Sequence, residues 1–240
     1  MLGNVDAFGI DDPAGGLAGC VTVARYGDDV ASIGMMLVAS RWERHGLGRR
    51  LMEHALEFAA GRVVVLYATK LGRPLYEKLG FRVADEVTRH RGEFTAGAAA
   101  PVAVRPGGAD DLAAAARLDA KACGAHRDTL LARLAEVGER MYVAADGASG
   151  HALARYEGEI LVVGPLAADD EQTARALIDA HVRQAGGAVR IDVPPRFAAL
   201  SAWLAECGVR PVATFPLMVY GGQLPGDRTI PYAIASFALG

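Results

Sequence analysis

A turn that combines two glycines with several arginines is the first stretch of the sequence whose residue types suit chemistry. The segment "RWERHGLGRR" spans residues 41–50 and leads into a pattern typical of a helix. Glycine favours helices poorly, but it lets the backbone come close to a ligand. Because a helix N-terminus with nearby cations attracts anions, we predict that the amides of residues 44–49 hold a phosphate or pyrophosphate group.

By itself, this turn does not identify the anion. It lacks the Lys-Ser/Thr pair of a Walker loop and the spacing of the dinucleotide-binding fingerprint. A tight turn with solvated arginines therefore remains an open alternative.

A second candidate is the tyrosine in "LYEKLGF", residues 75–81. The phenol of Tyr76 has a reference pKa near 10, so it stays protonated at neutral pH and can donate a proton to a leaving group. A half-buried helix tyrosine without a chemical role is the simpler interpretation of this motif alone.

The elements around these motifs alternate between strands and helices. Apolar periodicity and turn residues predict strands over 17–25 and 31–38, and a helix within 39–61. A valine-rich strand follows, then a helix over "KLGRPLYEKLG" with Thr69 as a candidate N-cap, and then another strand. This order indicates an α/β layer with helices packed on a sheet.

The second half of the chain repeats the first. "LYEKLGFRV" (75–83) and "WLAECGVRPV" (203–212) both predict a helix, a glycine stop and a strand, about 128 residues apart. The strand–helix–strand segments before them align at nearly the same offset. Two copies indicate a tandem duplication of one fold rather than a solenoid.

Composition excludes several classes of protein. The 240 residues are 52% hydrophobic and 22% charged, with a formal net charge of −3, so nothing favours a nucleic-acid partner. No apolar run is long enough to cross a membrane, and the first residues do not resemble a signal peptide. Cys20, Cys123 and Cys207 are far apart and form no metal-spaced pair. We therefore expect a cytoplasmic protein without a metal.

Taken together, the motifs resemble the GNAT superfamily of acyl-CoA-dependent N-acyltransferases. That pattern is a strand with a splayed end, a Gln/Arg-x-x-Gly-x-Gly/Ala turn, a helix, a strand, and a helix with Leu-Tyr-x-x-x-Gly-Phe. The matching pieces here are "MMLV", "ERHGLG", "VVVLYAT" and "LYEKLGF". They lie within roughly residues 17–92.

The second half resembles the carboxy-terminal domain of tandem GNAT proteins through "GAHRDTLL", "GPLAADD" and "RIDVP". The implied fold class is α/β, with two tandem GNAT-like domains, each a mixed, mostly antiparallel sheet with flanking helices. We expect an acetyl-CoA-binding domain over residues 1–95 and a linker over 96–101. A degenerate GNAT-like domain over 102–222 and a tail over 223–240 would follow.

The resemblance also implies roles for individual residues. Backbone groups of Leu37 and Val38 would pair with the pantetheine of coenzyme A and supply an oxyanion donor. Thr69 stands where the family often has an Asn near the cofactor, and Tyr76 stands where it has a general acid. The pyrophosphate would be held by the amides of Arg44, His45, Gly46, Leu47, Gly48 and Arg49.

The implied reaction moves an acetyl group from acetyl-CoA to a primary amine of a small molecule or peptide, by direct attack in a ternary complex. Two alternatives stay open: a CoA-binding regulatory or catalytically degenerate protein, and a scaffold or dimerisation module that binds no CoA. A homodimer is possible, because a short first domain leaves a sheet edge exposed.

Departures from the family pattern concern the turn, the base and the acceptor site. Glu43 replaces the usual Gln or Arg of the turn, and we expect it to face solvent, with Arg41 and Arg44 compensating its charge. No acid takes the usual place of a general base, so the amine loses its proton to water or to His90. Only 34 residues precede Met35, so the acceptor wall comes from the second domain or a partner chain, unless the start codon is annotated late.

The second half departs further from the pattern. Asp169 and Asp170 stand where phosphates would lie, and Leu204 replaces the tyrosine, so we expect a structural role or a part in the acceptor pocket. His126 and Arg127 are interpreted as capping and surface charge, with acceptor contact as the alternative.

Overall fold

The computed structural model describes residues 5–95, 101–185 and 187–240. They form two compact units. Unit 1 takes its residues from the first 85, from Pro216–Pro225 and from Phe237–Gly240. Unit 2 consists of Glu86–Phe215 and Gly226–Ser236.

Unit 1 contains a sheet with two helices. Its elements are β1 (Val5–Asp11), β2 (Leu17–Tyr26), β3 (Val30–Val38), α1 (Leu47–Phe58), β4 (Val63–Tyr67), α2 (Arg73–Lys78) and the start of β5 (Arg82–Glu93), which continues into unit 2. A short 3-10 turn, Ser40–Trp42, precedes α1. The strands predicted over 17–25 and 31–38 are confirmed as β2 and β3. The sequence analysis did not predict β1, which pairs antiparallel with β2.

Unit 2 has the same kinds of element. They are β6 (Val104–Pro106), α3 (Leu112–Cys123), α4 (Asp128–Val137), β7 (Tyr142–Ala144), β8 (Gly150–Glu157), β9 (Ile160–Ala168), α5 (Glu171–Ala185), β10 (Ala188–Val193), α6 (Ala198–Glu206), β11 (Arg210–Tyr220) and β12 (Pro231–Ala233). Strand β11 begins in unit 2 and ends in unit 1.

In each unit the strand pairing is mixed and mostly antiparallel, which confirms the predicted fold class. In unit 1 the order is β1-β2-β3-β4-β11, and the β3–β4 pair is parallel. In unit 2 the order is β5-β10-β9-β8-β7-β6, with a parallel β9–β10 pair and with β12 against β9. The main core of unit 1 lies between its sheet and α1, with Leu51, Met52 and Met218 at its centre.

Each unit is completed by a strand from the other half of the chain. The end of β11 pairs with β4 in unit 1, and β5 pairs with β10 in unit 2. These units therefore differ from the expected division into 1–95 and 102–222. Residues 96–100 of the expected linker lie outside the described residues. The expected tail over 223–240 is divided between the units and includes β12.

The predicted repeat is visible in the hydrogen bonds that end α2 and α6. The Phe81 amide donates to the Tyr76 carbonyl at 3.0 Å, and the Val209 amide donates to the Leu204 carbonyl at 2.8 Å. The glycine before each of these amides is left-handed, with φ of +95° and +90° respectively. Such a glycine with a backward hydrogen bond is a common helix stop. All these positions correspond at one offset of 128 residues.

The two glycine stops differ in what surrounds them, and this difference is testable. We expect Gly208→Ala to destabilise the protein more than Gly80→Ala. The left-handed backbone costs either alanine about 1–2 kcal/mol. A Cβ at Gly208 would also lie 2.5 Å from the carbonyl oxygen of Glu93, whereas one at Gly80 would meet only ring atoms of Tyr220, at 3.4 Å or more. Thermal unfolding followed by circular dichroism measures both; equal shifts in Tm would contradict the prediction.

Candidate functional site

Strands β3 and β4 run together for only three residue pairs and then separate. Their parallel pairing joins Val30–Ser32 with Val63–Val65. Strand β3 continues to Val38 with β2 on one side, while no strand of the described residues pairs with its other edge beyond Ser32. Within this stretch Met35 adopts a left-handed φ of +48°. The result is the splayed strand end that the family pattern implies.

The splayed end lies beside the glycine turn and α2. A Cβ on Gly48 would meet Val38 Cγ2 at 3.6 Å and Leu75 Cδ2 at 3.5 Å. Leu37, the other residue expected to contact pantetheine, has 56% of its surface exposed. The strand end, the turn and the helix that carries Tyr76 therefore meet in one place.

The turn itself leaves a helix start without a cap. Gly46 has a left-handed φ of +79° and no side chain caps α1, which begins at Leu47. The Arg50 amide donates to the Gly46 carbonyl and closes the first turn. Among the described residues, the amides of residues 44–49 have no acceptor. Because the first amides of a helix also lack intrahelical partners, this turn offers a row of donors to an anion.

Some arginine side chains of the turn have no ion pair among the described residues. Arg49 pairs with Glu53 at 2.8 Å, whereas Arg44 and Arg50 have no ion pair with any described carboxylate. Glu43 is exposed, as expected. The structure therefore leaves two arginines next to the donor row and turns the unfavourable acid toward solvent.

Asp12 is a structural residue that the sequence analysis missed. Its buried carboxylate accepts hydrogen bonds from the Trp42 indole at 2.5 Å, from the Arg41 guanidinium and from the Ala14 amide at 2.8 Å. The Trp42 hydrogen bond contributes most to lowering the pKa of Asp12. Arg41 thus pairs with Asp12, and the expectation that it compensates Glu43 was wrong. Nothing in "GIDD" distinguishes Asp12 from its neighbour.

Tyr76 is buried, with 7% of its surface exposed, and burial raises its pKa above the usual 10. Its hydroxyl lies 2.8 Å from the position that a Cβ on Gly72 would take, so only glycine fits there. No described residue forms a hydrogen bond with this hydroxyl. It is therefore placed as a protonated phenol with its hydrogen-bonding capacity unused.

Thr69 organises the turn before α2 but does not cap the helix. Its hydroxyl accepts a hydrogen bond from the Gly72 amide at 3.1 Å, and its carbonyl accepts from Arg73 at 3.0 Å. Helix α2 begins only at Arg73, with Gly72 in the cap position. The prediction of Thr69 as the N-cap was wrong, because this additional turn separates it from the helix.

His90, a candidate general base, lies in the interior of the protein and is poorly suited to that role. It is fully buried in unit 2, with Nε2 at 2.6 Å from Ser201 Oγ and Nδ1 at 3.0 Å from the Thr88 carbonyl. Burial also lowers its pKa. A base must come within hydrogen-bond reach of the proton that it removes, whereas both ring nitrogens of this buried imidazole already contact protein groups.

Unit 2 contains the same strand separation, but it is filled. Strands β9 and β10 pair in parallel over Leu161–Val163 and Val189–Ile191. Beyond that point β12 pairs with β9, and the Ile234 amide donates to the Asp192 carbonyl of β10 at 3.2 Å. The strand edge that is unpaired in β3 of unit 1 is therefore paired with β12 at the corresponding position of β9 in unit 2.

The helix start of unit 2 is also occupied. The Asp170 carboxylate accepts from the Thr173 amide at 2.8 Å and from its hydroxyl at 3.2 Å. This carboxylate takes the place that an anion would take at the start of α5. Leu204, the counterpart of Tyr76, is fully buried. Unit 2 thus offers neither the uncapped helix start nor the unused strand edge of unit 1.

A buried ionic cluster in unit 2 corrects another expectation. Arg127 was expected at the surface, but only 4% of it is exposed, and it makes two hydrogen bonds to Asp119, at 2.8 and 2.7 Å. His151 is also buried, and neither of its ring nitrogens has a partner among the described residues. Burial lowers the pKa of His151 to about 4. The sequence neighbour of Arg127, His126, is largely exposed.

No described group of three or more His, Cys, Asp or Glu side chains is arranged to hold a metal ion. No described helix is both long and apolar enough to cross a membrane.

Comparison with known proteins identifies the family. Two family profiles match, each described as an acetyltransferase (GNAT) domain, one over residues 6–83 and the other over residues 115–233. The uncharacterized N-acetyltransferase YitH of Bacillus subtilis is 30% identical over 97% of this chain and 84% of its own length. The chain therefore belongs to the GNAT N-acetyltransferase family, with two domains in tandem.

Solved structures have the same fold. A proposed acetyltransferase from Pyrococcus horikoshii superposes with a TM-score of 0.77 at 21% identity, over 93% of this chain and 76% of that one. A tandem GNAT protein from the clavulanic acid biosynthesis pathway superposes with a TM-score of 0.59 at 16% identity, over 91% and 84%.

The buried histidines predict a loss of stability in acid. His151 and His181 both have a pKa of about 4 in the folded protein because burial disfavours their charged form. Below the unfolded value near 6.5, the unfolded chain binds protons that the folded protein excludes. Stability is therefore fully present above pH 6.5 and declines toward pH 4, by roughly 3 kcal/mol per histidine.

Urea unfolding measured between pH 4 and 8 tests this expectation. His151→Gln should flatten the pH dependence, and His126→Gln makes the same substitution at an exposed site as the matched control. The same slope in all three proteins would show that burial of His151 does not control acid stability.

Proposed function

We propose that unit 1 binds acetyl-CoA and transfers its acetyl group to a primary amine of a small molecule or peptide. One observation carries the proposal. The same unit brings together an uncapped helix start with unpaired amides, a strand edge without a partner and a protonated tyrosine. Family membership supports acyl transfer in general, and these features suit the CoA thioester as the donor.

The glycine turn is suited to the pyrophosphate of CoA. Amides of residues 44–49 would donate to its oxygens, since the described residues leave them without acceptors. Arg44 and Arg50 would add cationic charge without first breaking an ion pair. Thr69 would stand near the cofactor at the turn before α2.

The unused edge of β3 is suited to the pantetheine arm. The amides and carbonyls of the pantetheine arm would pair with backbone groups of Leu37 and Val38, in the way that an added strand pairs with a sheet edge. A backbone amide on this edge would also donate to the oxyanion of the tetrahedral intermediate.

Tyr76 would protonate the leaving group. The amine nitrogen attacks the thioester carbonyl carbon, the carbon–sulfur bond breaks, and the thiolate takes the phenol proton. The amine gives up its own proton to water, and water returns a proton to the phenolate of Tyr76. Because burial raises the pKa of Tyr76, the phenol remains the acid form across the neutral range.

A second function is favoured by the absence of an evident base. With His90 buried in unit 2, no base is assigned to unit 1. A protein that binds CoA for a regulatory purpose needs no base, and it would show CoA binding without thiol release in the presence of any amine.

Binding of CoA by the turn can be tested with two substitutions at Gly46 that differ only in charge. Gly46→Asp should weaken binding of CoA at least tenfold relative to Gly46→Asn, which is about 1.4 kcal/mol, since a carboxylate at the helix start repels phosphate. Both side chains tolerate the left-handed backbone and have nearly the same shape, so Asn is the matched control. Isothermal titration calorimetry with CoA measures both; equal affinities would remove the turn from the site.

The general acid can be tested by removing one hydroxyl. Tyr76→Phe should lower kcat for thiol release from acetyl-CoA with a broad panel of amines by about 10²-fold or more. Tyr220→Phe removes a hydroxyl elsewhere in unit 1, beside Phe81, and should leave kcat unchanged. Because the pKa of Tyr76 is raised, the wild-type rate should show no loss of the acid form below pH 10. An unchanged kcat in Tyr76→Phe would exclude its hydroxyl as the acid.

A further inference from the structure

The last described residues of the chain lie in unit 1, at the inner end of the gap between β3 and β4. The ring of Phe237 stacks on Tyr67, the final residue of β4, with centroids 5.1 Å apart and planes at 21°. A Cβ built on Gly34 would lie 2.3 Å from Cα of Ala238. Gly34 is two residues beyond Ser32, where β3 and β4 make their last pair. Segment 237–239 therefore touches both strands where they begin to separate.

This segment is held firmly at its other end. The Tyr26 hydroxyl donates to the Leu239 carbonyl at 2.6 Å in a buried hydrogen bond. Leu239 has only 8% of its surface exposed. A buried hydrogen bond with a ring stack on one side fixes the position of the segment against the sheet.

The gap has an outer and an inner end. The glycine turn follows β3, so the pyrophosphate position lies at the outer end, beyond Val38. Gly34 lies four residues further back along the strand, about 13 Å at the usual rise. A pantetheine arm that follows this edge inward from the turn points its acyl end toward Gly34 and Ala238.

We propose that segment 237–239 closes the inner end of the gap and limits the acyl group to a short chain. This inference rests on the proposed function, because it assumes a CoA thioester on the β3 edge. The wall is apolar, formed by Phe237, Ala238 and the ring of Tyr67, which suits a small hydrocarbon group. Gly34 lets the backbone of Ala238 come closer than any side chain would permit.

The corresponding place in unit 2 supports this role for the C-terminal chain. A Cβ on Gly164 of β9 would lie 2.1 Å from the Ile234 carbonyl oxygen. There Ile234 directly follows β12 (Pro231–Ala233), which fills the gap beside β9. In unit 1 the contacts of segment 237–239 lie at the inner end, and the exposed Met35 and Leu37 mark the part that stays open.

Calorimetry with CoA, acetyl-CoA, butanoyl-CoA and octanoyl-CoA tests the proposal. Wild type should bind CoA and acetyl-CoA similarly and octanoyl-CoA at least tenfold more weakly, since an apolar wall rejects an extra methylene by roughly 10- to 200-fold. Phe237→Ala should reduce that discrimination to about threefold or less and leave the affinity for CoA unchanged.

Matched variants separate the wall from general stability. Phe197→Ala removes an equivalent ring stacked on Tyr232 in unit 2, with centroids 4.0 Å apart, and should keep the wild-type discrimination. Phe237→Leu keeps an apolar contact with Tyr67 and should admit butanoyl-CoA more readily than wild type does. It carries the test if Phe237→Ala does not fold.

The outcomes distinguish two kinds of failure. If CoA binds and every Phe237 variant that folds keeps the wild-type discrimination, the wall is overturned and the proposed function stands. If octanoyl-CoA binds to wild type as tightly as acetyl-CoA, the wall is likewise overturned. If CoA does not bind to wild type at all, the proposed function fails and this inference fails with it.

Discussion

The hydrogen-bonding demand of strand edges governs this structure. Strand β4 has β3 on one side for only three residue pairs, and its other side is completed by the end of β11. The side of β3 that faces away from β2, beyond Ser32, is left without a pairing strand among the described residues. Everything assigned to the site is arranged around that edge: the uncapped start of α1, the buried Tyr76 and the segment that stacks on Tyr67. An edge without a partner is a liability in most sheets, and the proposed function gives this one a ligand as its partner.

The duplication shows how one architecture is used in two ways. Both units have a short parallel pair, a separation of the strands and a helix that starts beside it. In unit 1 the helix start has Gly46 and no capping side chain. In unit 2 Asp170 caps the helix and β12 fills the separation, so backbone and charge are satisfied internally. Unit 2 thus differs from unit 1 by one capping carboxylate and one added strand, while both units keep the glycine helix stop.

Local patterns in the sequence were enough to predict β2, β3, the helices around Gly46 and Tyr76, and the repeat, because periodicity and glycine stops act over a few residues. Features that depend on distant partners were missed. The pairing of β11 with β4 involves residues some 150 positions apart, and apolar periodicity is the same whichever strand lies alongside. Arg127 looked like surface charge for another reason: Asp119 is only eight residues away, but the sequence does not show that the two side chains are buried together. The assignments of Leu37, Val38 and residues 44–49 remain predictions, now with a geometry that brings them together.

The exchange of strands also has a consequence for how the chain is made. A ribosome delivers β1 to α2 early, yet the strand that completes their sheet follows about 150 residues later. Until β11 is synthesised, the edge of β4 has no pairing strand. The first half therefore cannot complete its fold, and chaperones can bind its unpaired edge in the meantime. Contacts this distant in sequence slow folding and expose unpaired edges on the way.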